Sequence, residues 1–214
     1  MYTPQLSEFP EFSLHRLLTT CFGTSDETLN ACILIDLPDL ELMRNLKFLD
    51  NDGFQVQKYA KQYFLDPLLE GIAEEVGYST VDFLAFKTTG GSNLDPEDKV
   101  TNQHGDDLSF EEDICPKYDI ILAITDYSLT APLTAMAKKH NFRGATLHGV
   151  NDIILASGLA VDYEEISKQA EVFRSTLDQA DSFIIKFEVG NNCFELCIHC
   201  NGQTAQKSHG LCPP

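Results

Sequence analysis

Apolar positions between residues 117 and 150 change from a continuous run to a helical period and back to a run. Residues 120–124 are all apolar, which is typical of a strand buried on both faces. After a polar turn at residues 126–128, apolar residues recur at helical spacing, and basic residues gather where the end of a helix is negative. Residues 145–147 form a second apolar run. This order predicts a βαβ unit with parallel strands, and therefore an α/β fold.

Helices and strands are also predicted along the rest of the chain. Apolar or alternating runs predict strands over residues 31–36, 81–86, 182–189 and 193–200. The last two strands flank the turn-forming residues Gly190, Asn191 and Asn192, so they are expected to form a β-hairpin. Helical periods predict helices over residues 14–23, 40–50, 56–76, 151–159 and 162–180. A layered sheet with helices on both faces accommodates this order of elements.

Two of the predicted helices carry features that set where they begin or bend. Pro67 lies inside the pattern of residues 56–76 and is expected to kink or divide it, because proline removes a helix hydrogen bond. Asp162, followed three residues later by Glu165, is typical of a capped helix start. The apolar stripe of that last helix is expected to be buried, and it contains Ile166, Ala170, Phe173, Leu177 and Ala180.

The polar stretch at residues 88–105 lacks an apolar period and is predicted to be a long loop. Gly90 and Gly91 could let the backbone approach a ligand closely, but they do not form a GxGxxG dinucleotide-binding fingerprint. A flexible linker is therefore favoured over a loop that contacts a ligand, and both interpretations stay open.

The chain has 214 residues and a mass of 23.9 kDa, a size typical of one large domain or of one domain with an appendage. Its 33 acidic and 15 basic residues give a net charge of −18. That field repels phosphate backbones, so nucleic-acid binding is not expected. A solvated acidic surface is the favoured interpretation, and an acidic cleft that attracts cations or metal is the alternative.

Three features of the sequence predict where the protein is located. It contains no apolar run of about 18 residues or more, so neither a membrane-spanning helix nor a membrane partner is expected. The first residues lack a basic segment followed by an apolar one, so they are not predicted to be a signal peptide. Seven cysteines without a secretion signal favour free thiols in a reducing cytoplasm.

A group of cysteines and histidines near the end of the sequence is the best candidate for metal chemistry. Its members are Cys193, Cys197, His199, Cys200, His209 and Cys212. Cys197 and Cys200 have the spacing of a zinc knuckle, but strand alternation places them on opposite faces. Ordinary free cysteines on a strand are therefore favoured, and a zinc site is the weaker alternative.

Polar residues at the ends of predicted strands are candidates for ligand contacts, because sites in parallel α/β sheets lie at the carboxyl ends of strands. Asp36, Asp126 and Ser128 occupy such positions, although helix capping is the favoured role for each. His148, next to Gly149, is interpreted as a structural residue rather than a ligand. The sequence contains no G-x-S-x-G, H-E-x-x-H or P-loop motif, so no residue is assigned as catalytic, cofactor-binding or metal-binding.

Residues 142–181 read FRGATLHGVNDIILASGLAVDYEEISKQAEVFRSTLDQAD. This segment resembles the middle of the thermophilic-type metallo-aminopeptidases, the aminopeptidase T and S group of leucyl aminopeptidases. The resemblance includes an Arg before a short strand and a DYEEI-like helix start, and it continues through FIIKFEVGNNCFELCIHCNG at residues 183–202. Residues 17–39 resemble the family's first helix, turn and strand, and residues 119–130 correspond to its next strand and helix.

The resemblance implies a Rossmann-like N-terminal domain, with a mostly parallel sheet, from a dimeric two-metal peptidase. The family's Glu, His and Asp ligands for a divalent metal (zinc, cobalt or magnesium) lie in a separate C-terminal domain, so none is carried over to this chain. Residues 1–181 then correspond to the Rossmann-like domain and residues 182–214 to the start of the catalytic domain. The expected partner is a second copy of the chain or a catalytic half, and an active assembly would cleave peptides.

Two functions from different classes are consistent with the sequence. The first is the N-terminal domain of a metal-dependent aminopeptidase-like hydrolase, inactive without its metal-binding half. The second is a stand-alone, non-enzymatic module of the same fold that binds a peptide or another partner. A βαβ unit does not distinguish them, because one fold hosts many activities.

Overall fold

A six-stranded sheet forms the centre of the first part of the chain. The computed structural model describes residues 9–23 and 27–207. In chain order, the strands of this sheet are β1 (Leu29–Leu37), β2 (Tyr78–Lys87), β3 (Lys99–Asn102), β4 (Asp107–Ser109), β5 (Ile120–Thr125) and β6 (Arg143–His148). The strands predicted at residues 31–36, 81–86, 120–124 and 145–147 are therefore confirmed.

The order of strands across the sheet is β4-β3-β2-β1-β5-β6. Strand β1 pairs in parallel with both β2 and β5, and β6 pairs in parallel with β5. Strands β3 and β4 run antiparallel to their neighbours at one edge. The sheet is mostly parallel, as predicted, and its layout is Rossmann-like, because the chain adds strands on one side of β1 and then crosses to the other.

Strand β1 lies at the centre of the sheet because its sequence is apolar on both faces. Ile33, Leu34 and Ile35 are inaccessible to solvent. In the register of the sheet, Leu34 lies opposite Leu84 on β2 and Ala123 on β5. The core cluster built on this register also contains Phe86, Val100, Phe110, Ile114, Tyr118, Ile121, Leu129, Leu133 and Phe142. Burial of this apolar surface, at roughly 25 cal/mol per Å², is the main term that stabilises the sheet.

Helices connect the strands, and several begin at side chains that accept backbone hydrogen bonds. They are α1 (Leu14–Phe22), α2 (Gln55–Tyr59), α3 (Ala73–Glu75), α4 (Thr130–His140), α5 (Asp152–Leu155) and α6 (Tyr163–Asp178), with 3₁₀ segments at Leu40–Leu42 and Arg44–Asp50 and π-helical segments at Ala60–Leu65, Leu68–Ile72 and Phe110–Ile114. Ser13 caps α1 and Asn151 caps α5. Helix α4 links β5 to β6, so the predicted βαβ unit is confirmed. None of the helices in the described residues has both the length and the apolar character required to cross a membrane.

The helix predicted over residues 56–76 is present as a series of short helical segments. Pro67 lies between two π-helical segments but keeps helical dihedral angles, φ −63° and ψ −34°, so it changes the hydrogen-bonding pattern without breaking the helix. The sharp interruption lies at Gly71, whose φ of 137° is strained for any residue with a Cβ atom. The helix predicted over residues 40–50 is likewise divided, into two 3₁₀ segments.

The prediction of a loop over residues 88–105 is wrong for the second half of this stretch, which contains β3. This strand pairs with β2 on one side and with β4 on the other. Val100 and Thr101 are buried in the sheet. A strand of four residues is too short for its alternation to stand out from the polar residues around it, and the sequence pattern therefore did not predict it.

Helix α4 lies close to strand β6 because Gly144 has no side chain. A Cβ atom at Gly144 would stand 2.7 Å from Leu133 Cδ2, which is less than any normal contact between carbon atoms. Leu133 is itself buried in the core, so its side chain has little space into which to move. The glycine therefore sets the separation between the helix and the strand.

The chain divides into two units between Val161 and Asp162. The first unit contains the six-stranded sheet, and the second contains α6, β7 (Ser182–Val189) and β8 (Asn192–His199). Asp162 accepts hydrogen bonds from the backbone N–H groups of Glu164 and Glu165 at 2.9 and 3.1 Å, so its predicted role as the cap of α6 is confirmed. Strands β7 and β8 form the predicted hairpin.

The prediction that α6 buries an apolar stripe is wrong. None of its residues is buried, and Phe173 is 72% exposed. Ile166, at the start of the same stripe, is 38% exposed. Helical spacing shows which face of a helix is apolar, but it does not show whether another element covers that face.

The two faces of the β7–β8 hairpin differ in polarity. One face, called here the apolar hairpin face, carries seven apolar side chains by strand alternation and register: Phe183, Ile185, Phe187, Val189, Phe194, Leu196 and Ile198. On this face the rings of Phe187 and Phe194 stack with their centroids 5.5 Å apart. The opposite face carries the Lys186–Glu195 ion pair. The hairpin is therefore amphipathic. This pattern is typical of a pair of strands that packs one face against an apolar surface.

Candidate functional site

The best candidate site lies where the strand order of the sheet reverses, between β1 and β5. From β1 the chain continues to β2 on one side, and it later returns to place β5 on the other side. The strand order therefore reverses between these two strands, which is the arrangement that forms a crevice in open α/β sheets. In open α/β sheets such a switch point is the usual place for a ligand.

Two carboxylates lie at this switch point. Asp36 is the second-last residue of β1 and is 1% exposed, and Asp126 directly follows β5 and is exposed. The backbone N–H of Asp126 donates a hydrogen bond of 2.9 Å to Asp36 Oδ1. The parallel pairing of β1 and β5 therefore brings together two side chains that are 90 residues apart in the sequence.

Gln57, from helix α2, lies between the two carboxylates. Its amide Nε2 donates to the backbone carbonyl and to Oδ1 of Asp36 at 2.9 and 3.0 Å, and to Asp126 Oδ2 at 3.0 Å. Gln57 is completely buried. Its Oε1 is also buried and accepts no hydrogen bond from the described residues. Asp36, Gln57 and Asp126 are called here the switch-point cluster.

The electrostatics of the switch-point cluster are set by burial. Loss of solvent raises the pKa of Asp36 above its ordinary value, and the nearby charge of Asp126 raises it further. The hydrogen bonds from the Asp126 backbone and the Gln57 amide partly oppose this rise in pKa. Three acceptors share the two N–H groups of Gln57, so the remaining hydrogen-bonding capacity of the cluster consists of oxygen acceptors. Such a cluster suits a ligand that donates N–H groups or carries positive charge.

The loop at residues 88–98 contacts the turn that follows Asp126. The backbone N–H of Asn93 donates to the Ser128 carbonyl at 2.7 Å, and Asn93 Oδ1 accepts from the backbone N–H of Ala131 at 3.0 Å. Ser92 Oγ accepts from the backbone N–H of Ser128 at 3.3 Å. The loop is thus attached to the turn between β5 and α4, which a flexible linker would not be. Gly90 and Gly91 lie in this attached loop rather than in the switch-point cluster.

The structure changes the roles predicted for the strand-end residues. Neither Asp36 nor Asp126 has the predicted capping role. Gln57 donates to both carboxylates, and the backbone N–H of Asp126 also donates to Asp36. Ser128 does serve the start of α4, since its Oγ accepts from the backbone N–H of Thr130 at 3.3 Å. His148 is exposed at the end of β6, and no hydrogen bond joins it to the cluster within the described residues.

The cysteines near the end of the chain are not gathered into a site in the part that the structure describes. Cys193 and Cys197 are exposed free thiols, and Cys200 donates a hydrogen bond to the Ala180 carbonyl at 3.1 Å. His209 and Cys212 lie outside the described residues. Within those residues no group of three or more His, Cys, Asp or Glu side chains is placed to hold a metal ion.

Gln57 is the member of the candidate site that the sequence analysis did not identify. The signal that could have found it is its position, because Gln57 shares a helical face with Ala60 and Phe64, which are both buried. A polar residue on an apolar face needs a partner, and here the partners come from two distant strands. No protein-family model, curated protein or solved structure matches the chain. Function is therefore inferred from the geometry of the two units and from the sequence resemblance.

Proposed function

We propose that the chain is the α/β domain of a metal-dependent aminopeptidase-like protein and that it does not cleave peptides without a metal-binding half. The sequence resemblance supports the family. The claim that the chain needs a partner rests on the apolar hairpin face in the second unit. Five of its residues, Ile185, Phe187, Val189, Phe194 and Leu196, are between 43 and 60% exposed.

A hairpin of this composition is not stable as a free element. A two-stranded sheet is marginal in water, and it needs further strands or a packed layer to bury its apolar face. Within residues 9–23 and 27–207 no third strand joins the β7–β8 pair, so both of its edges have unpaired backbone groups there. An exposed, contiguous apolar patch is typical of an interface. The hairpin therefore fits the contact region of a larger assembly, with a catalytic half or a second copy as the partner.

Peptidase assays test the first part of the proposal. The purified chain is incubated with leucine p-nitroanilide and with added Zn²⁺, Co²⁺ or Mg²⁺. We expect no release of p-nitroaniline above the metal-only control, because the described residues provide no metal centre. Turnover that depends on the metal and survives a second purification step would refute the claim that the chain is inactive alone.

Two neighbouring substitutions test the interface. Ile185→Lys places a charge on the apolar hairpin face, and Ile184→Lys places the same charge on the opposite face, where Ile184 is 54% exposed. Only Ile185→Lys should reduce the fluorescence of a bound hydrophobic dye and the association state in sedimentation experiments. Equal effects of the two substitutions would contradict the role of the apolar face.

A stand-alone binding module is the second candidate function, and the switch-point cluster favours it. A binding module needs a ligand site within the chain, and the cluster offers buried acceptors at the usual position for one. The test is a titration with propylammonium, followed by the side-chain amide signal of Gln57 in NMR spectra. Asp126→Asn should weaken this response, and the neutral analogue propanol should not produce it. A wild-type signal that does not move would exclude this candidate.

A further inference from the structure

The two edges of the six-stranded sheet differ in how they are protected. Strand β4 forms one edge and has three residues, which include the charged Asp107. Strand β6 forms the other edge and has six residues in a continuous register with β5, without a bulge. Residues 144–147 of β6 contain neither proline nor a charged side chain. Short strands, charges, prolines and bulges protect an edge against pairing with another chain, so β4 is protected and β6 is not.

Backbone groups of β6 point alternately toward β5 and away from it. The N–H groups of Arg143 and Gly149 donate to carbonyl groups at the two ends of β5, both at 2.8 Å, so the odd-numbered positions face β5. The backbone groups of Thr146 and His148 therefore point out of the edge of the sheet. Within residues 9–23 and 27–207 no strand pairs with this side of β6. An extended chain placed beside β6 would supply hydrogen-bond partners for these groups.

Helix α4 adds a groove to this open edge. The groove has a volume of about 520 Å³, lies between α4 and β6, and is formed within residues 130–146. Thr146 faces α4, because its hydroxyl group is hydrogen-bonded to that of Thr130 at 2.7 Å. Arg143 faces the other side of the sheet, where its guanidinium lies over the Phe22 ring of α1. The groove therefore receives side chains from one face of an added strand, the face toward α4. It is called here the edge groove.

The lining of the edge groove suits aliphatic side chains. Leu133, Ala137 and Phe142 provide apolar surface. Thr130 and Thr134, four residues apart on one face of α4, add methyl groups beside their hydroxyl groups. The volume is more than ten times the roughly 30 Å³ that a water molecule occupies, so the groove has room for side chains.

We propose that β6 pairs with an extended peptide segment of another protein, which adds a seventh strand to the sheet and places alternate aliphatic side chains in the edge groove. Backbone hydrogen bonds provide affinity in this mode of recognition, and pockets for alternate side chains provide selectivity. The outward groups of a strand recur every second residue, about 7 Å apart, and an extended backbone has the same spacing. The site lies in the first unit only, so it is independent of the proposed function.

Charge favours a neutral or basic peptide over a second copy of the chain. A second copy would bring another net charge of −18 to the edge, and the two copies would repel each other. A peptide without acidic residues avoids this repulsion. Lys138 is exposed in the lining of the groove, so the side chains that enter the groove are uncharged and basic residues belong at the ends of the peptide.

Fluorescence anisotropy with a labelled peptide of sequence KVTVTVK tests the proposal on the full chain. The peptide should bind in a saturable way and should slow hydrogen exchange at the backbone N–H of Thr146 and His148, without an effect on β4. Two further peptides carry N-methyl groups on the valines or on the threonines. Methylation of the set that faces β6 should abolish binding, and methylation of the other set should not, because only one set donates to the edge.

Two pairs of variants separate the edge from the groove. Thr146→Pro removes an outward N–H that the sheet does not use, a change that an edge strand accepts, and it should weaken binding about tenfold or more. Thr146→Val keeps this N–H and should bind as the wild type does. Thr134→Tyr fills the edge groove and should also weaken binding about tenfold or more, whereas Ala135→Tyr, at an exposed position outside the groove, should not.

Several results would overturn this proposal. Binding that survives methylation of both sets would show that the backbone of the peptide is not recognised. Equal affinities of the Thr146→Pro and Thr146→Val variants would exclude the edge of β6. A wild-type dimer in sedimentation experiments that Thr146→Pro dissociates would make a second copy the occupant. Peptide binding that requires removal of residues 208–214 would assign the edge to the end of the chain itself.

Discussion

At the scale of single residues, Asp36 shows how position in a sheet sets the protonation of a side chain. The carboxyl group follows the most deeply buried segment of the chain, and burial raises its pKa. The folded state therefore holds the proton of Asp36 up to a higher pH than the unfolded state does. The consequence is a stability contribution that is present at acidic pH and is lost as pH rises through the raised pKa.

Asp36→Asn removes this titration and tests the argument. We expect the free energy of unfolding of the wild type, relative to the variant, to fall as pH rises from about 4, by about 1.4 kcal/mol for each unit of raised pKa. Urea unfolding measured from pH 3 to pH 7 gives this difference. Asp50→Asn, at an exposed position, is the matched control and should follow the wild-type profile. A difference between wild type and Asp36→Asn that does not depend on pH would contradict the assignment.

A carboxylate at position 57 is expected to destabilise the protein, because the amide of Gln57 donates hydrogen bonds to two carboxylates. Gln57→Glu replaces this donor by a third negative charge in a buried place, and the loss of stability at pH 7 should be about 3–5 kcal/mol. The loss should become smaller in acid, where the new side chain is neutral. Chemical denaturation at pH 7 and pH 4 measures both values. Gln62→Glu, on an exposed position of the same helical stretch, should change stability by about 0.5 kcal/mol or less.

The sequence predicted two of the three residues of the switch-point cluster as candidates, but not their roles. Asp36 and Asp126 were found because they follow apolar runs, and the end of a strand is where a site is expected. Their contact was not predictable, since it depends on β1 and β5 being neighbours. Gln57 lies in a helix that was predicted, but the sequence does not show that this helix packs against the ends of β1 and β5. Local patterns predict elements, whereas a site requires the order of strands across the sheet.

At the scale of elements, the packing of α4 against β6 depends on one missing side chain. Gly144→Ala adds a methyl group 2.7 Å from Leu133 Cδ2, so the helix or the leucine has to move. We expect a loss of about 1–3 kcal/mol in the free energy of unfolding, as is typical of an overpacked core. Gly158→Ala, where the nearest atom would lie at 3.9 Å, is the matched control and should have little effect. Equal effects of the two substitutions in thermal unfolding would show that the contact does not limit the packing.

The elements that the sequence predicted well are those with long and uniform patterns. Strand β1 and the hairpin strands have runs of apolar or alternating residues, and all were found in the structure. The failures have separate causes. Strand β3 is too short to show a period, Gly71 interrupts a pattern that is otherwise helical, and α6 has an apolar stripe that remains exposed. In each case the structure depends on a tertiary contact or a dihedral angle, and the spacing of apolar residues along the chain predicts neither.

At the scale of the whole molecule, the two units differ in how much of their backbone is protected. The first unit has a central strand with neighbours on both sides. In the part of the second unit that the structure describes, the hairpin has two open edges and the helix has no buried residues. Local opening is easiest where few apolar contacts hold an element in place. The hairpin should therefore open without unfolding of the sheet.

Hydrogen exchange followed by mass spectrometry tests this difference. Backbone amides of β7 and β8 should exchange on the order of a hundredfold faster than those of β1 and β5, because their opening exposes little additional apolar surface. A partner bound to the apolar hairpin face should slow the exchange of β7 and β8 alone. The expectation fails if both units exchange with the same protection in the isolated chain.

The central position of β1 also has a consequence for synthesis on the ribosome. Its two neighbours are made later, since β2 begins at Tyr78 and β5 begins at Ile120. At translation rates of roughly 5–20 residues per second, β1 waits for several seconds before its second neighbour has been made. During that interval the nascent segment of residues 31–35 is an aggregation-prone sequence with high β-propensity. We therefore expect β1 to be the strand of the central sheet that a holding chaperone binds before β5 has been made.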